Sequence, residues 1–315
     1  MQGIDLTNPI FTDEEAARRH YEKARWPNGR VCPHCGTVDN STELKGKSTR
    51  PGVYKCRDCA KPFSVTIGTI FERSHIPLNK WLLAMSLMTA SKKGISAHQL
   101  FRSLGFGSYR TAWFMAHRIR EAMTATGALP PLGGEGQIVE ADETYYGRRD
   151  KGEKLFKAPR KKHRDKRLKR PVVALVERGG KARVFHVASA DKETVEKIVR
   201  ENVSPASRLH TDESRLYLGS DTYFASHETV RHSAHEYARG DVNTNSAEGF
   251  FGVFKKGMTG VYQHCGEQYL QRYVTEFEFR HNTRAKLGVN DTERAALALQ
   301  GAEGKRLTLR RTANA

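Results

Sequence analysis

The segment "QIVEADETYYG" spans residues 137–147 and has the composition of a β-strand, with β-branched and aromatic residues on both sides of an acid. Such residues favour strands, whereas aspartate is depleted in strands and costly to bury without a partner. An acid inside a strand therefore needs an explanation. Asp142 is a candidate functional residue.

The segments after this strand predict an α/β fold. Two further strand patterns, an amphipathic helix and a fourth strand pattern occupy residues 170–178, 182–189, 191–203 and 207–214. Three strands, a helix and a fourth strand predict a mixed sheet flanked by helices. Two more helices are expected at about 245–257 and 267–284.

Four of the five cysteines form two Cys-x2-Cys pairs, Cys32 with Cys35 and Cys56 with Cys59, with 20 residues between the pairs. Each pair can direct two thiolates at one point, and two pairs supply the four ligands of tetrahedral zinc. Four thiolates leave no open coordination position, so we expect a structural Zn²⁺ in a zinc ribbon. A redox pair or buried free cysteines are the alternatives. Cys265 is expected to be a small buried residue.

Residues 77–125 contain three helical patterns, and a short Gly-Phe-Gly turn joins the second to the third. This arrangement is typical of a helix-turn-helix, whose second helix enters the major groove, although any small helical bundle has such turns. The third pattern has one apolar face and a basic opposite side. The candidate DNA contacts on that side are Arg110, Arg118 and Arg120, beside His117.

The excess of basic residues favours a nucleic acid partner. The chain has 53 Lys and Arg against 35 Asp and Glu, a formal charge of +18. Charge that serves solubility alone usually amounts to only about 2 to 8 on a small domain. No segment has the roughly 20 apolar residues that span a bilayer, and the N-terminus lacks the pattern of a secretory signal. We expect a cytoplasmic protein that binds nucleic acid. The helix-turn-helix pattern makes double-stranded DNA the expected partner.

A basic insert from Arg148 to Arg170 holds 13 Lys or Arg in 23 residues. A solvated loop is the simplest interpretation, but such arms often order on contact with phosphates. Lys161 and Lys162 are candidate DNA contacts within it.

The chain is long enough for two or three domains. Residues 125–136 form a linker, because their Pro-Pro and Gly-Gly pairs stop any helix. The expected parts are an N-terminal helix with the zinc ribbon, a helix-turn-helix-like domain, the α/β domain and a basic tail, at residues 1–75, 76–127, 135–285 and 286–315.

Three carboxylates are expected to meet in the α/β domain: Asp142, Asp212 at the end of the fourth strand, and Glu248 at the start of the next helix. Three clustered carboxylates repel one another unless cations are bound, and oxygen ligands suit Mg²⁺ or Mn²⁺. Two such ions can assist an in-line phosphoryl displacement.

Each carboxylate also has a purely structural interpretation. Asp142 could pair with an arginine, and Asp212 could cap the segment that follows it. Glu248 could complete a capping box that Asn245 begins. Taken together beside a DNA-binding N-terminal part, the three favour an active site.

The chain resembles the metal-dependent DDE transposases of bacterial insertion sequences, in the zinc-ribbon-bearing group related to the Merlin elements. The resemblance covers about residues 26–285 and rests on the motifs "CPHCG", "YKCRDCAKPFSVTIGTIFE", "VEADETYYG", "HTDE", "NSAEGFFGVFKKGMTGVY" and "YLQRYVTEFEFRHNTR". It implies an RNase H-like catalytic domain in which Asp142, Asp212 and Glu248 bind two metal ions.

The same resemblance gives roles to residues around Glu248. Some relatives use asparagine in place of the third acid, which makes Asn245 an alternative ligand. Lys255 matches the basic residue after the third acid and is expected to touch DNA near the cut. Lys256, directly after it, is a further candidate DNA contact.

The implied function is that of a transposase, which binds the terminal inverted repeats of its element, frees 3′-hydroxyls and joins them to target DNA. Both ends must be held at once, so a dimer or larger assembly is expected. A non-catalytic zinc-ribbon and helix-turn-helix regulator is an alternative that would not need the carboxylates. A stand-alone RNase H-like nuclease is another, and it would not need the N-terminal part.

Overall fold

The computed structural model describes residues 4–147 and 169–308. By density of contacts, the chain divides into a first unit, Met1–Thr126 with Gly288–Ala315, and a second unit, Gly127–Leu287. The basic insert, including Lys161 and Lys162, lies outside the described residues except for its last two positions. No helix in the described ranges is both long and apolar enough to cross a membrane.

The first unit begins with helix α1 (Glu14–Arg25) and a small antiparallel sheet. The strands of this sheet are β1 (Ser41–Glu43), β2 (Tyr54–Cys56) and β3 (Pro62–Phe63), in that order. The ring of Trp26 makes edge contacts with those of Tyr54 and Phe63, at centroid distances of 6.1 and 6.0 Å. These rings form a separate small core with Cys32, Cys56 and Cys59.

Three helices follow, as predicted: α2 (Leu78–Ala90), α3 (Ala97–Ser103) and α4 (Tyr109–Ala122). The side chain of Ser96 caps α3 by accepting a hydrogen bond from the Gln99 N–H. Gly105, which follows α3, has a φ of 61°, a conformation that glycine adopts without steric cost.

Helix α4 is buried along most of its length, which corrects two of the expected DNA contacts. Arg118 and Arg120 are only 6% and 2% exposed. Arg118 donates a hydrogen bond to the Glu72 carbonyl and lies over the Trp81 ring. Helix α2 packs against α4, and its Trp81 covers Arg118. Arg110, in the first turn, is exposed.

Part of the expected basic tail is instead a helix of the first unit. Helix α8 spans Asp291–Gln300, and a capping box of Asn290 and Glu293 holds its start. It packs on α2 and α4. A Cβ at Gly301 would lie 2.2 Å from the carbonyl oxygen of Ala122, so this approach requires glycine.

The second unit is built around a five-stranded mixed sheet in the order β6-β5-β4-β7-β8. The strands are β4 (Ile138–Tyr146), β5 (Arg170–Glu177), β6 (Ala182–His186), β7 (Arg208–Asp212) and β8 (Ser226–Val230). Strand β5 is antiparallel to β4 and β6, whereas β7 is parallel to β4 and β8. The expected mixed α/β architecture is confirmed, with β8 as an additional strand.

Helices cover both faces of this sheet. Helix α5 (Lys192–Asn202) packs on one face, and α6 (Asn245–Gly257) and α7 (Leu270–Asn282) pack on the other. Because side chains alternate along a strand, Glu140 and Asp142 of β4 lie on the face that α6 covers.

Candidate active site and zinc centre

The four predicted zinc ligands lie together in the first unit. Their Sγ atoms are all within 4.8 Å of one another, with Cys32 3.7 Å from Cys59 and Cys35 3.6 Å from Cys56. Sulfurs about 2.3 Å from a tetrahedral zinc are about 3.8 Å apart, so the spacing fits Zn²⁺. This centre is a structural zinc site. Cys265 is buried in the second unit, as expected.

The electrostatics of the thiols also fit a cation. Hydrogen bonds from the hydroxyl and the N–H of Thr37 hold the pKa of Cys35 at about 6. The Lys61 N–H lowers the pKa of Cys59, but burial and the neighbouring sulfurs outweigh it and raise that pKa to about 11. Four thiolates are therefore stable together only when a metal compensates their charge.

We expect one tightly bound zinc per chain, measured by elemental analysis of the purified protein. Cys56→Ser should release the metal and unfold the ribbon, because structural zinc supplies folding free energy. The second unit should keep its own unfolding transition, and Cys265→Ser should retain zinc. Wild-type protein with no zinc and four reactive thiols would contradict the assignment.

Asp142 and Asp212 lie on neighbouring parallel strands. The register of β4 and β7 pairs Glu140 with His210. Asp142 and Asp212 each lie two residues beyond this last pair, and side-chain alternation places both on the face that α6 covers.

The surroundings of Asp142 disfavour its charge. Burial raises its pKa, and the nearby carboxylates of Glu143, Asp212 and Glu248 add to this, while a backbone N–H opposes it; the result is about 7. No ion pair among the described residues includes Asp142 or Asp212, so the expected alternative of an arginine partner is not observed. An acidic cluster without compensation is suited to divalent cations.

Glu248 lies in the first turn of α6 and its side chain is 49% exposed. Its Oε1 accepts a hydrogen bond from the Thr244 hydroxyl at 3.2 Å and lies 3.6 Å from Nε2 of His232. In the described parts of the chain, only the four cysteines bring three or more ligand atoms within 4.8 Å. The three carboxylates thus interact electrostatically without converging at ligand distance.

The start of α6 differs from the expected capping box. Asn245 is the first helical residue and is exposed, and the N-cap is Thr244, whose side chain makes no capping hydrogen bond. The N–H groups of Ser246 and Ala247 donate instead to the carboxylate of Glu140, at 2.6 and 3.1 Å. Asn245 therefore does not cap the helix.

The sequence pattern did not single out Glu140, which is fully buried and pairs with Arg178 at 2.8 Å. A signal was present, because an acid two residues before Asp142 lies on the same face of the strand.

The opposite side of α6 anchors the helix. Its three phenylalanines are buried against the sheet: Phe250, Phe251 and Phe254. Lys255 and Lys256, in the last turn, are exposed. Lys255 lies about two turns beyond Glu248 and is free to contact a ligand on the outer surface of the unit.

Comparison with known proteins identifies the family. Residues 131–282 match the ISXO2-like transposase domain of the IS1595 family. The chain therefore carries a transposase domain of this family. Residues 12–62 match a transposase zinc-ribbon domain, which includes all four zinc ligands.

A relative of the transposase is known from an archaeon. The two chains are 28% identical over 288 residues, which cover 88% of the transposase and 94% of the relative. That relative is an uncharacterized protein in transposable element ISH50 of Halobacterium salinarum. The resemblance to zinc-ribbon transposases of insertion sequences is confirmed.

Proposed function

We propose that this transposase binds the ends of its insertion sequence and, with divalent cations, cuts DNA strands and joins them to a target. One observation carries the proposal. Asp142 and Asp212 each lie two residues beyond the last pair of two neighbouring parallel strands, on the face that α6 covers, and no ion pair among the described residues compensates them. Burial and the nearby carboxylates raise the pKa of Asp142 to about 7.

Asp142, Asp212 and Glu248 would hold two Mg²⁺ or Mn²⁺ ions through carboxylate oxygens. When bound, such ions activate an attacking oxygen and stabilise the leaving oxygen of an in-line displacement. The three residues bind and orient the cations, and Lys255 and Lys256 bind the phosphates of the substrate strand. The mixed sheet with helices on both faces supports an RNase H-like domain.

The first unit would recognise the element ends. Helices α3 and α4 with the turn between them support a helix-turn-helix. The exposed first turn of α4 contains Tyr109 and Arg110, and the N-terminal residues of a recognition helix are those that contact base edges. The basic insert would add affinity for phosphates without sequence preference. Two chains would hold the two ends.

End binding and cleavage, measured side by side, test this function. The transposase should cut DNA that carries its element ends in Mg²⁺ or Mn²⁺, and should neither cut scrambled ends nor act in EDTA. A regulator would bind the ends without cutting in any cation. A stand-alone nuclease would cut both substrates equally.

The raised pKa of Asp142 predicts a pH-dependent response to cations. Because its pKa is higher in the folded protein than the ordinary 3.8, ionisation destabilises the fold progressively from about pH 4 to above pH 7. Cations that compensate the charge should therefore raise the melting temperature of the second unit more at pH 8 than at pH 5. The two increases should differ by roughly 5 °C.

Asp142→Asn should raise the cation-free melting temperature at pH 8 and remove the response to Mn²⁺. Asp221→Asn, at an exposed position of the same unit, should leave both unchanged. A response to Mn²⁺ that persists in Asp142→Asn would contradict the cation site.

A further inference from the structure

Glu140 is a buried carboxylate on β4 that the proposed cation site does not use. Its side chain has no exposed surface, although an acid in such a position is costly unless its oxygens are fully paired. It lies on the same face of the strand as Asp142, two residues away. Glu140 must therefore find hydrogen-bond donors within the protein for both of its oxygens.

Both oxygens of Glu140 are occupied by protein donors. Oε2 accepts hydrogen bonds from the N–H groups of Ser246 and Ala247, at 2.6 and 3.1 Å. Oε1 accepts from the Ser246 hydroxyl at 3.0 Å and from Nε of Arg178 at 2.9 Å. With this set of donors, the carboxylate is not available as a cation ligand.

The contacts of Glu140 replace the missing cap of α6. The first N–H groups of a helix have no partner within the helix, and the N-cap side chain usually accepts from one of them. Thr244 does not do so here; its hydroxyl donates to Glu248. A carboxylate also interacts favourably with the positive end of the helix dipole. The sheet thus supplies the cap, and the start of α6 is attached directly to β4.

Arg178 extends the attachment to the segment before α6. It pairs with Glu140 and donates to the carbonyl oxygens of Asp241 and Asn243, at 2.7 and 3.1 Å. The side-chain oxygen of Asn243 in turn accepts from the Asn245 N–H at 3.3 Å. The path of the chain into α6 is therefore held by the same pair of Glu140 and Arg178.

We propose that Glu140 is a positioning residue: it fixes the first turn of α6 on β4 and so sets where Glu248 stands relative to Asp142. This role rests on the proposed function, because it matters only if Glu248 and Asp142 share cations. Strand β4 then supplies one carboxylate of the site directly and positions another through the helix start.

The test compares Mn²⁺ affinity, measured by calorimetry or electron paramagnetic resonance without DNA, in wild type and variants. Glu140→Gln keeps the shape but loses the charge, and Glu140→Asp keeps the charge but shortens the reach to α6. Both should raise the dissociation constant of Mn²⁺ by about 10- to 100-fold, as is common when residues that orient metal ligands are replaced. Hydrogen exchange of the Ser246 and Ala247 amides should speed up in both.

Glu196→Gln is the matched control. Glu196 is a carboxylate of the same unit that pairs with Arg200 at 3.6 Å on α5, the helix that packs on the other face of the sheet. Its replacement should change Mn²⁺ affinity less than about threefold. In a Glu248→Gln background, Glu140→Gln should cause no further loss, because the ligand that it positions is gone.

The outcomes separate the two proposals. If wild type binds no Mn²⁺, the proposed function fails and the positioning role fails with it. If wild type binds Mn²⁺ and Glu140→Gln binds it equally well, only the positioning role is overturned. The positioning role is also overturned if Glu140→Gln weakens Mn²⁺ binding as much in the Glu248→Gln background as it does in wild type. Should Glu140→Gln fail to fold, Ser246→Ala, which removes one hydrogen bond to Glu140, gives a milder form of the same comparison with about a threefold loss expected.

Discussion

Asp212→Asn is expected to abolish strand cleavage while leaving the binding of element ends nearly unchanged. An amide cannot supply the negative charge that divalent cations require, so the rate should fall by at least about a hundredfold. The local fold should persist, because Oδ1 of Asp212 accepts the Ser214 N–H at 3.0 Å and an asparagine oxygen can accept the same bond. Cleavage rates and gel-shift titrations on the same DNA measure the two effects.

Asp221→Asn is the control for this substitution, since Asp221 is an exposed aspartate in the same unit. It should cut and bind as wild type does. If Asp212→Asn lost end binding and thermal stability together, Asp212 would be a structural residue and the assignment would be wrong.

Glu248→Gln and Asn245→Ala should differ strongly in their effects on cleavage. Glu248→Gln should remove nearly all cleavage, by about a hundredfold or more, because a neutral amide replaces one of three charges that hold the cations. Asn245→Ala should retain most activity and change the free energy of unfolding by less than about 0.5 kcal/mol. The small effect is expected because Asn245 is exposed and does not cap α6.

The decisive comparison is cation-dependent cleavage with thermal unfolding for both variants. An active Glu248→Gln together with an inactive but stable Asn245→Ala would show that Asn245 is the third ligand. Both positions lie in the first turn of α6, so the experiment distinguishes two residues that the same helix presents.

Much of the architecture was predictable because its local patterns agree with its tertiary structure. The segment at 137–147 forms a nine-residue strand, and α5, α6 and α7 follow their amphipathic patterns. The zinc centre was predictable for a different reason. Two Cys-x2-Cys pairs can converge only in a few ways, and the ligand chemistry leaves little choice.

The features that were not predicted depend on tertiary contacts, which a local sequence pattern does not show. Strand β8 (Ser226–Val230) is polar and only half-buried, so it has no apolar run to mark it. Arg118 and Arg120 lie on the polar side of their helix in sequence, but both side chains are buried in the fold. Helix α8 had a local signal in Asn290 and Glu293, which form its capping box.

The start of α6 shows the limit of local rules most clearly. Asn245 followed three residues later by Glu248 has the spacing of a capping box. The cap comes instead from Glu140, more than a hundred residues away in sequence. Only the fold brings β4 to the end of α6, so the local pattern alone could not distinguish the two arrangements.

Joining of pre-cut element ends to a target plasmid tests most directly whether Asp142, Asp212 and Glu248 form a cation-dependent site for DNA strand transfer. Ends with a 3′-hydroxyl should be joined in Mg²⁺ or Mn²⁺, and neither ends that lack the hydroxyl nor reactions in EDTA should give product. Asp142→Asn should bind the ends and give no joined product. The assignment of this site would be contradicted if Asp142→Asn still joined the ends. It would also be contradicted if the wild-type protein bound both ends but joined neither to the target.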